Sequence, residues 1–149
     1  MQMEGKKYYI AYGSNLSVEQ MAYRCPGAKV AGMAALKGWK LVFRNHATIE
    51  KADGRVVPAI VWEITSNDER NLDRYESYPS YYRKENLPIT MTDLDGKKPR
   101  QVTAMVYLMN DGRPLQAPWD AYYRVLEEGY RQFGFNPFLL EKALEEAKH

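Results

Sequence analysis

Apolar residues fall in short alternating or continuous runs through the first two thirds of the chain, and only the last third carries a long helical stripe. Residues 7–12 read as a strand that stops abruptly at Gly13-Ser14-Asn15. Ser17 and Gln20 then form a capping box for a short helix through about Tyr23, closed by Pro26-Gly27. Apolar and β-branched runs over 29–36, 39–44 and 56–64 predict paired strands, separated by Gly38 and by a polar loop over 46–55. Ser66 and Glu69 make a second capping box, after which Leu72, Tyr75 and Glu76 fall three and four residues apart on one helical face.

Two more strands are expected over 81–91 and 101–109, joined through the turn Asp93-Leu94-Asp95-Gly96. Trp119, Tyr122, Tyr123, Leu126, Tyr130 and Phe133 then recur at the spacing of an amphipathic helix entered through Pro118. Asn136-Pro137 opens a last helix over 138–148. No repeat, linker or low-complexity stretch interrupts this order. The pattern predicts one α+β domain over residues 1–149, built on a mixed curved sheet or small β-barrel flanked by helices.

Composition narrows the function more than the fold. Lys and Arg total 21 against 19 Asp and Glu, a formal net charge of +2, too balanced to suggest a nucleic-acid or anionic-membrane partner. Cys25 is the single cysteine, so no internal disulfide forms, and no Cys/His cluster suggests a metal. Neither a signal-like nor a membrane-length apolar segment is evident, and the expectation is a cytoplasmic, metal-free protein. Twelve tyrosines and three tryptophans suit either a β-rich core or an aromatic-lined pocket for a small molecule.

Two stretches carry candidate chemistry. In the corner Tyr12-Gly13-Ser14-Asn15-Leu16, Gly13 is able to take φ > 0 and admit a close neighbour, and the amides at a helix start suit an anion or carbonyl oxygen. The same corner also reads as a plain strand-to-helix turn. Glu76 stands beside the aromatic run "SYPSYYRK". Poor hydration disfavours a charged carboxylate, so Glu76 reads as a general base with a raised pKa, or else as a helix-end residue paired with Arg74 or Arg83. Tyr82 and Tyr122 are either core residues or hydroxyl donors. A Ser14/His46 hydrolase lacks the G-x-S-x-G elbow, His46 reads as a loop residue, and Cys25 at a helix C-terminus reads as inert.

With the Tyr-Gly-Ser-Asn corner and "LDRYESYPSYYRKE" both in view, the chain resembles the γ-glutamylcyclotransferase-like superfamily (AIG2-like and γ-glutamylamine cyclotransferase-type proteins). "LKGWKLVF", "AIVWEIT", "MVYLMN" and "APWDAYYRVLEEGYRQFGF" extend the likeness along nearly the whole chain. The resemblance implies a γ-glutamyl group held by Tyr12, Gly13, Ser14, Asn15 and Leu16, with Glu76 as general acid and base. It implies further contacts from Tyr82, with Tyr81 one step away, and from Tyr122. Ser77 stands where the family has glycine. The implied reaction releases 5-oxoproline from a γ-glutamyl amino acid or amine, without metal or cofactor, in a monomer or weak homodimer. A non-catalytic small-molecule-binding protein using the same pocket is the alternative, which retention of Glu76 disfavours.

Overall fold

The computed structural model describes residues 7–148. Its five strands are β1 (Lys7–Ala11), β2 (Lys29–Arg44), β3 (His46–Ile64), β4 (Tyr82–Met91) and β5 (Arg100–Met109). They form one mixed sheet in the order β2-β3-β1-β5-β4, with β1 antiparallel to β3 and parallel to β5. Short and central, β1 buries Tyr9, Ile10 and Ala11, which explains why its sequence is a nearly continuous apolar run. Register shifts between β2 and β3 at Val30/Gly32 and Lys37/Trp39 bend the sheet. It curls until its outer strands nearly meet, where Met33 and Thr92 exchange backbone bonds of 3.0 and 2.9 Å. A Cβ at Gly32 would stand 2.2 Å from the Thr92 carbonyl oxygen, so this approach requires glycine.

The segment 46–55 is not the loop its polarity predicts. Ala47, Thr48 and Ile49 are buried, and His46 to Lys51 pair with Arg44 to Trp39 across a turn at Asn45, whose φ is 76°. Pairing then jumps to Lys37–Val56, so only 52–55 fall outside the ladder.

Four helices pack on this frame: α1 (Val18–Arg24), α2 (Ser66–Tyr75), α3 (Asp120–Phe133) and α4 (Pro137–Ala147). Ser17 caps α1 as predicted, its hydroxyl accepting from the Gln20 amide at 3.1 Å. The cap of α2 lies one residue before the predicted box. Thr65 and Asp68 form it, because buried Asp68 also accepts from the Gly27 amide and ties α2 to the end of α1. Glu69 instead pairs with Lys7 and Lys84. Trp119 precedes α3 as its N-cap and is exposed, whereas Leu126 and Tyr130 of the predicted stripe are buried. Gly134, at φ 71°, ends α3, and Asn136 caps α4 by accepting from the Phe138 amide.

Candidate active site

The corner after β1 winds into a 3-10 turn over Ser14–Leu16. Amides of Leu16 and Ser17 bond the carbonyls of Gly13 and Ser14 at 3.0 and 3.1 Å. Those of Ser14 and Asn15 open the turn, so it holds no carbonyl for them. Gly13 does not use the left-handed region, since its φ is −125°. Space is its contribution: an added Cβ would lie 3.5 Å from the Ala47 Cβ and 3.8 Å from the Tyr122 hydroxyl. Leu16 is a correction to the expected contact set. It is fully buried, its amide is committed inside the turn, and it packs on α3, where a Cβ at Gly129 would meet its own Cβ at 2.6 Å.

A cavity of about 310 Å³ opens beside the turn. Tyr12, Gly13, Ser14, Asn15, Glu76, Tyr82 and Tyr122 all line it, although they are spread over more than a hundred residues of chain. Glu76 caps the C-terminal end of α2, its amide bonding the Leu72 carbonyl at 2.8 Å. Among the described residues its carboxylate has neither a hydrogen bond nor an ion pair. The two sequence candidates for pairing are occupied elsewhere: Arg74 bonds Asn71, and Arg83 bonds Glu85 and the Met109 carbonyl. Burial raises the Glu76 pKa to about 7, against a smaller downward pull from Arg24. Ser77 follows at φ 52°, the left-handed region in which glycine carries no penalty.

The surrounding tyrosines differ in where their protons go. Tyr82 donates to the Ala47 carbonyl at 2.7 Å, and Tyr12 to the Tyr107 carbonyl at 2.6 Å. Tyr122 instead accepts from the Ala47 amide at 3.1 Å, which leaves its own proton free beside Gly13. Burial holds the pKa values of Tyr9, Tyr12, Tyr82 and Tyr122 above the ordinary value, so these phenols stay neutral donors. Both Tyr81 and Tyr82 line the cavity, but only Tyr82 is buried; Tyr81 shares a 2.8 Å bond with His46 Nδ1.

His46 lines the cavity too, edge-on to Tyr81, Trp119 and Tyr122, with its pKa lowered by burial and then by Arg113. The Ser14 hydroxyl meets Tyr75 at 3.2 Å rather than His46. Cys25 is buried and its thiol is pushed up to about 12, chiefly by desolvation. The site therefore offers the Glu76 carboxylate, a largely neutral His46 imidazole and several neutral donors, with no activated serine or thiol. Among the described residues no group of three His, Cys, Asp or Glu is placed to hold a metal.

Sequence reasoning missed Tyr9, Ile10, His46, Ala47, Tyr75 and Tyr107, which also line the cavity. Tyr75 adjoins Glu76 and could have been read with it. Tyr107 carries no local signal, because β5 meets the corner only through sheet pairing.

The family model described as gamma-glutamyl cyclotransferase, AIG2-like, matches residues 9–131. This chain belongs to that family. Among relatives of this AIG2-like gamma-glutamyl cyclotransferase family, the gamma-glutamylcyclotransferase of Bos taurus is 28% identical over 148 residues, covering 91% of this chain and 76% of its own. The Mus musculus protein of the same name is 29% identical over 152 residues, covering 93% and 78%. A solved gamma-glutamyl cyclotransferase structure superposes with a TM-score of 0.72 at 26% identity, covering 93% of this chain and 86% of that one. The Bacillus subtilis protein YkqA shares the fold at a TM-score of 0.74 and 20% identity, covering 96% of this chain and 54% of that one.

Proposed function

We propose that this family member is a cofactor-independent cyclotransferase that releases 5-oxoproline from a γ-glutamyl amino acid or amine. The single observation that carries the reading is the unpaired Glu76 carboxylate, with a pKa of about 7, in a tyrosine-walled cavity also lined by Ser14 and Asn15, the residues that open the turn. The relatives named gamma-glutamylcyclotransferase support the same class of reaction.

The substrate supplies its own nucleophile. With the γ-glutamyl chain folded back on itself, Glu76 takes a proton from the α-ammonium, and the freed nitrogen pair attacks the γ-carbonyl carbon. Holding the chain in that conformation contributes on the order of 7 to 11 kcal/mol through effective molarity, so positioning is the larger part of the catalysis. The carbonyl π pair moves to oxygen, and the developing oxyanion is met by the free proton of Tyr122 or by the turn amides. The oxyanion pair re-forms the carbonyl as the C–N bond breaks, and the departing nitrogen takes the C–N pair and the proton held by Glu76. The ring nitrogen then gives its surplus proton to the freed carboxylate, leaving a neutral lactam, and Glu76 passes that proton to the released amine. A carboxyl group titrating near neutrality can serve in both directions.

Incubation with a panel of γ-glutamyl amino acids and amines, followed by mass spectrometry, tests this reading. The expected product is 5-oxoproline, and an α-N-acetylated substrate should bind without reacting. Free glutamate as the main product, or normal turnover of the acetylated substrate, would overturn it.

A further inference from the structure

Arg24 lies outside the cavity, in the last turn of α1, yet two of its contacts lead into the wall. Its Nη1 donates to Asn15 Oδ1 at 2.5 Å. Its guanidinium lies 3.5 Å from the centre of the Tyr75 ring, and the Tyr75 hydroxyl meets Ser14 Oγ at 3.2 Å. Asn15 is buried, its backbone carbonyl is held by the Trp62 indole at 3.1 Å, and its Nδ2 donates to the Tyr9 hydroxyl oxygen at 2.9 Å.

Donor and acceptor roles along this chain are fixed by chemistry. A guanidinium can only donate, so the oxygen end of the Asn15 amide must face Arg24. The NH₂ end can only donate as well, so Tyr9 must accept from it. Tyr9 therefore keeps its own proton, and its side chain lines the cavity. Without the guanidinium, the Asn15 amide is free to turn over. Its oxygen would then accept the Tyr9 proton and withdraw that donor from the cavity.

We infer that Arg24 is a positioning residue of this site: it sets the direction of the Asn15–Tyr9 hydrogen-bond chain, so that Tyr9 presents a hydroxyl donor to the bound substrate. The inference rests on the proposed reading of the cavity as a γ-glutamyl site. Arg24 also faces Glu76 electrostatically. The other groups interacting with that carboxylate are neutral phenols: Tyr9 from β1, Tyr12 just after it, Tyr82 from β4, Tyr107 from β5 and Tyr122 from α3. His46, at the start of β3, lines the same cavity and is held towards its neutral form. Arg24 is the one cation acting on Glu76 among the described residues.

Two readouts that need no turnover test the inference, on Arg24→Gln and Arg24→Lys. In the first, carbon-13 NMR follows the titration of the Glu76 carboxyl. Arg24→Gln should raise the midpoint by roughly half to one unit, the scale of one partly screened charge, and Arg24→Lys should return it close to wild type. In the second, proton exchange of the Asn15 side-chain amide should accelerate in Arg24→Gln at an unchanged melting temperature. Unchanged exchange together with an unchanged Glu76 midpoint overturns the inference, whatever the protein turns over.

The kinetic arm is a double-mutant cycle on 5-oxoproline release. Tyr9→Phe should lower kcat/KM by about 10-fold in wild type, the scale of one hydrogen bond, and by less than about twofold in Arg24→Gln. Strictly additive losses overturn the coupling. If wild type releases no 5-oxoproline while both NMR changes appear, the proposed reaction fails and the positioning by Arg24 stands.

Discussion

Replacing Glu76 by Gln should make the protein more stable and nearly inactive, and the two effects come from one cause. Folding carries this carboxyl from its ordinary value of 4.5 to about 7 because burial disfavours the charged form. At ~1.4 kcal/mol per unit, the ionised group costs the folded state about 3 kcal/mol. The folded chain keeps the proton to higher pH than the unfolded chain does. Wild-type stability therefore falls as pH rises from 4.5 to about 7, and the full penalty persists above that. Gln is neutral throughout and avoids the penalty.

The variant's advantage should thus be under about 1 kcal/mol at pH 5 and about 3 kcal/mol at pH 9. The latter corresponds to a melting temperature roughly 6 to 12 °C higher for a chain of this size. Thermal melts of both proteins at pH 5, 7 and 9 measure this directly. Over the same range, wild-type kcat/KM should rise along an acid limb centred near the Glu76 value of about 7. Turnover of the Gln variant should fall by about 10² to 10⁴. A difference in melting temperature that does not change with pH, or wild-type turnover in the Gln variant, would refute the reasoning.

Tyr122→Phe removes the free hydroxyl proton and strands the Ala47 amide that donates to it. Turnover should drop by about 10² to 10³, as for loss of one oxyanion donor, and a kcat within twofold of wild type would exclude that contact. Gly13→Ala adds a methyl that fits at 3.5 Å from Ala47, so folding should survive while binding weakens; calorimetry showing wild-type affinity for a γ-glutamyl ligand would rule out binding across this face. Ser77→Gly should gain up to about 1 kcal/mol, because Gly bears φ 52° without strain but loses more chain entropy, and a drop in melting temperature would contradict that. The proposed chemistry uses only protein groups and the substrate's own amine, so exhaustive chelation should leave 5-oxoproline release unchanged, and recovery by added metal after a loss would require another mechanism.

Local physics explains which parts could be read in advance. The corner after β1 was legible because strand, turn and cap fall within a dozen residues, and Glu76 because a lone carboxylate in aromatic company is a short-range anomaly. The continuity of β2 into β3 was not, since Ala47, Thr48 and Ile49 are buried by distant elements inside a run that looks polar. Thr65 with Asp68 and Ser66 with Glu69 both have the capping-box spacing, and the choice between them turns on Gly27, whose amide Asp68 also holds. Arg24 carries no sequence signal beyond a basic residue near a helix end. Its role depends on Asn15, Tyr9 and Tyr75, which only the folded chain brings together. The resemblance includes Leu16 in the binding corner, but a 3-10 turn directs neighbouring side chains differently, and this one faces the core.

The meeting of β2 and β4 also bears on how the molecule behaves in a crowd. An open five-stranded sheet exposes two rows of unpaired backbone groups, each a template for another chain's strand. Here the two rows are turned towards each other and tied by a single bridge between Met33 and Thr92, and the contact exists only because Gly32 has no side chain. Resistance to edge-to-edge aggregation therefore hangs on one missing methyl group, at the end of β4 opposite to Tyr82 and the cavity.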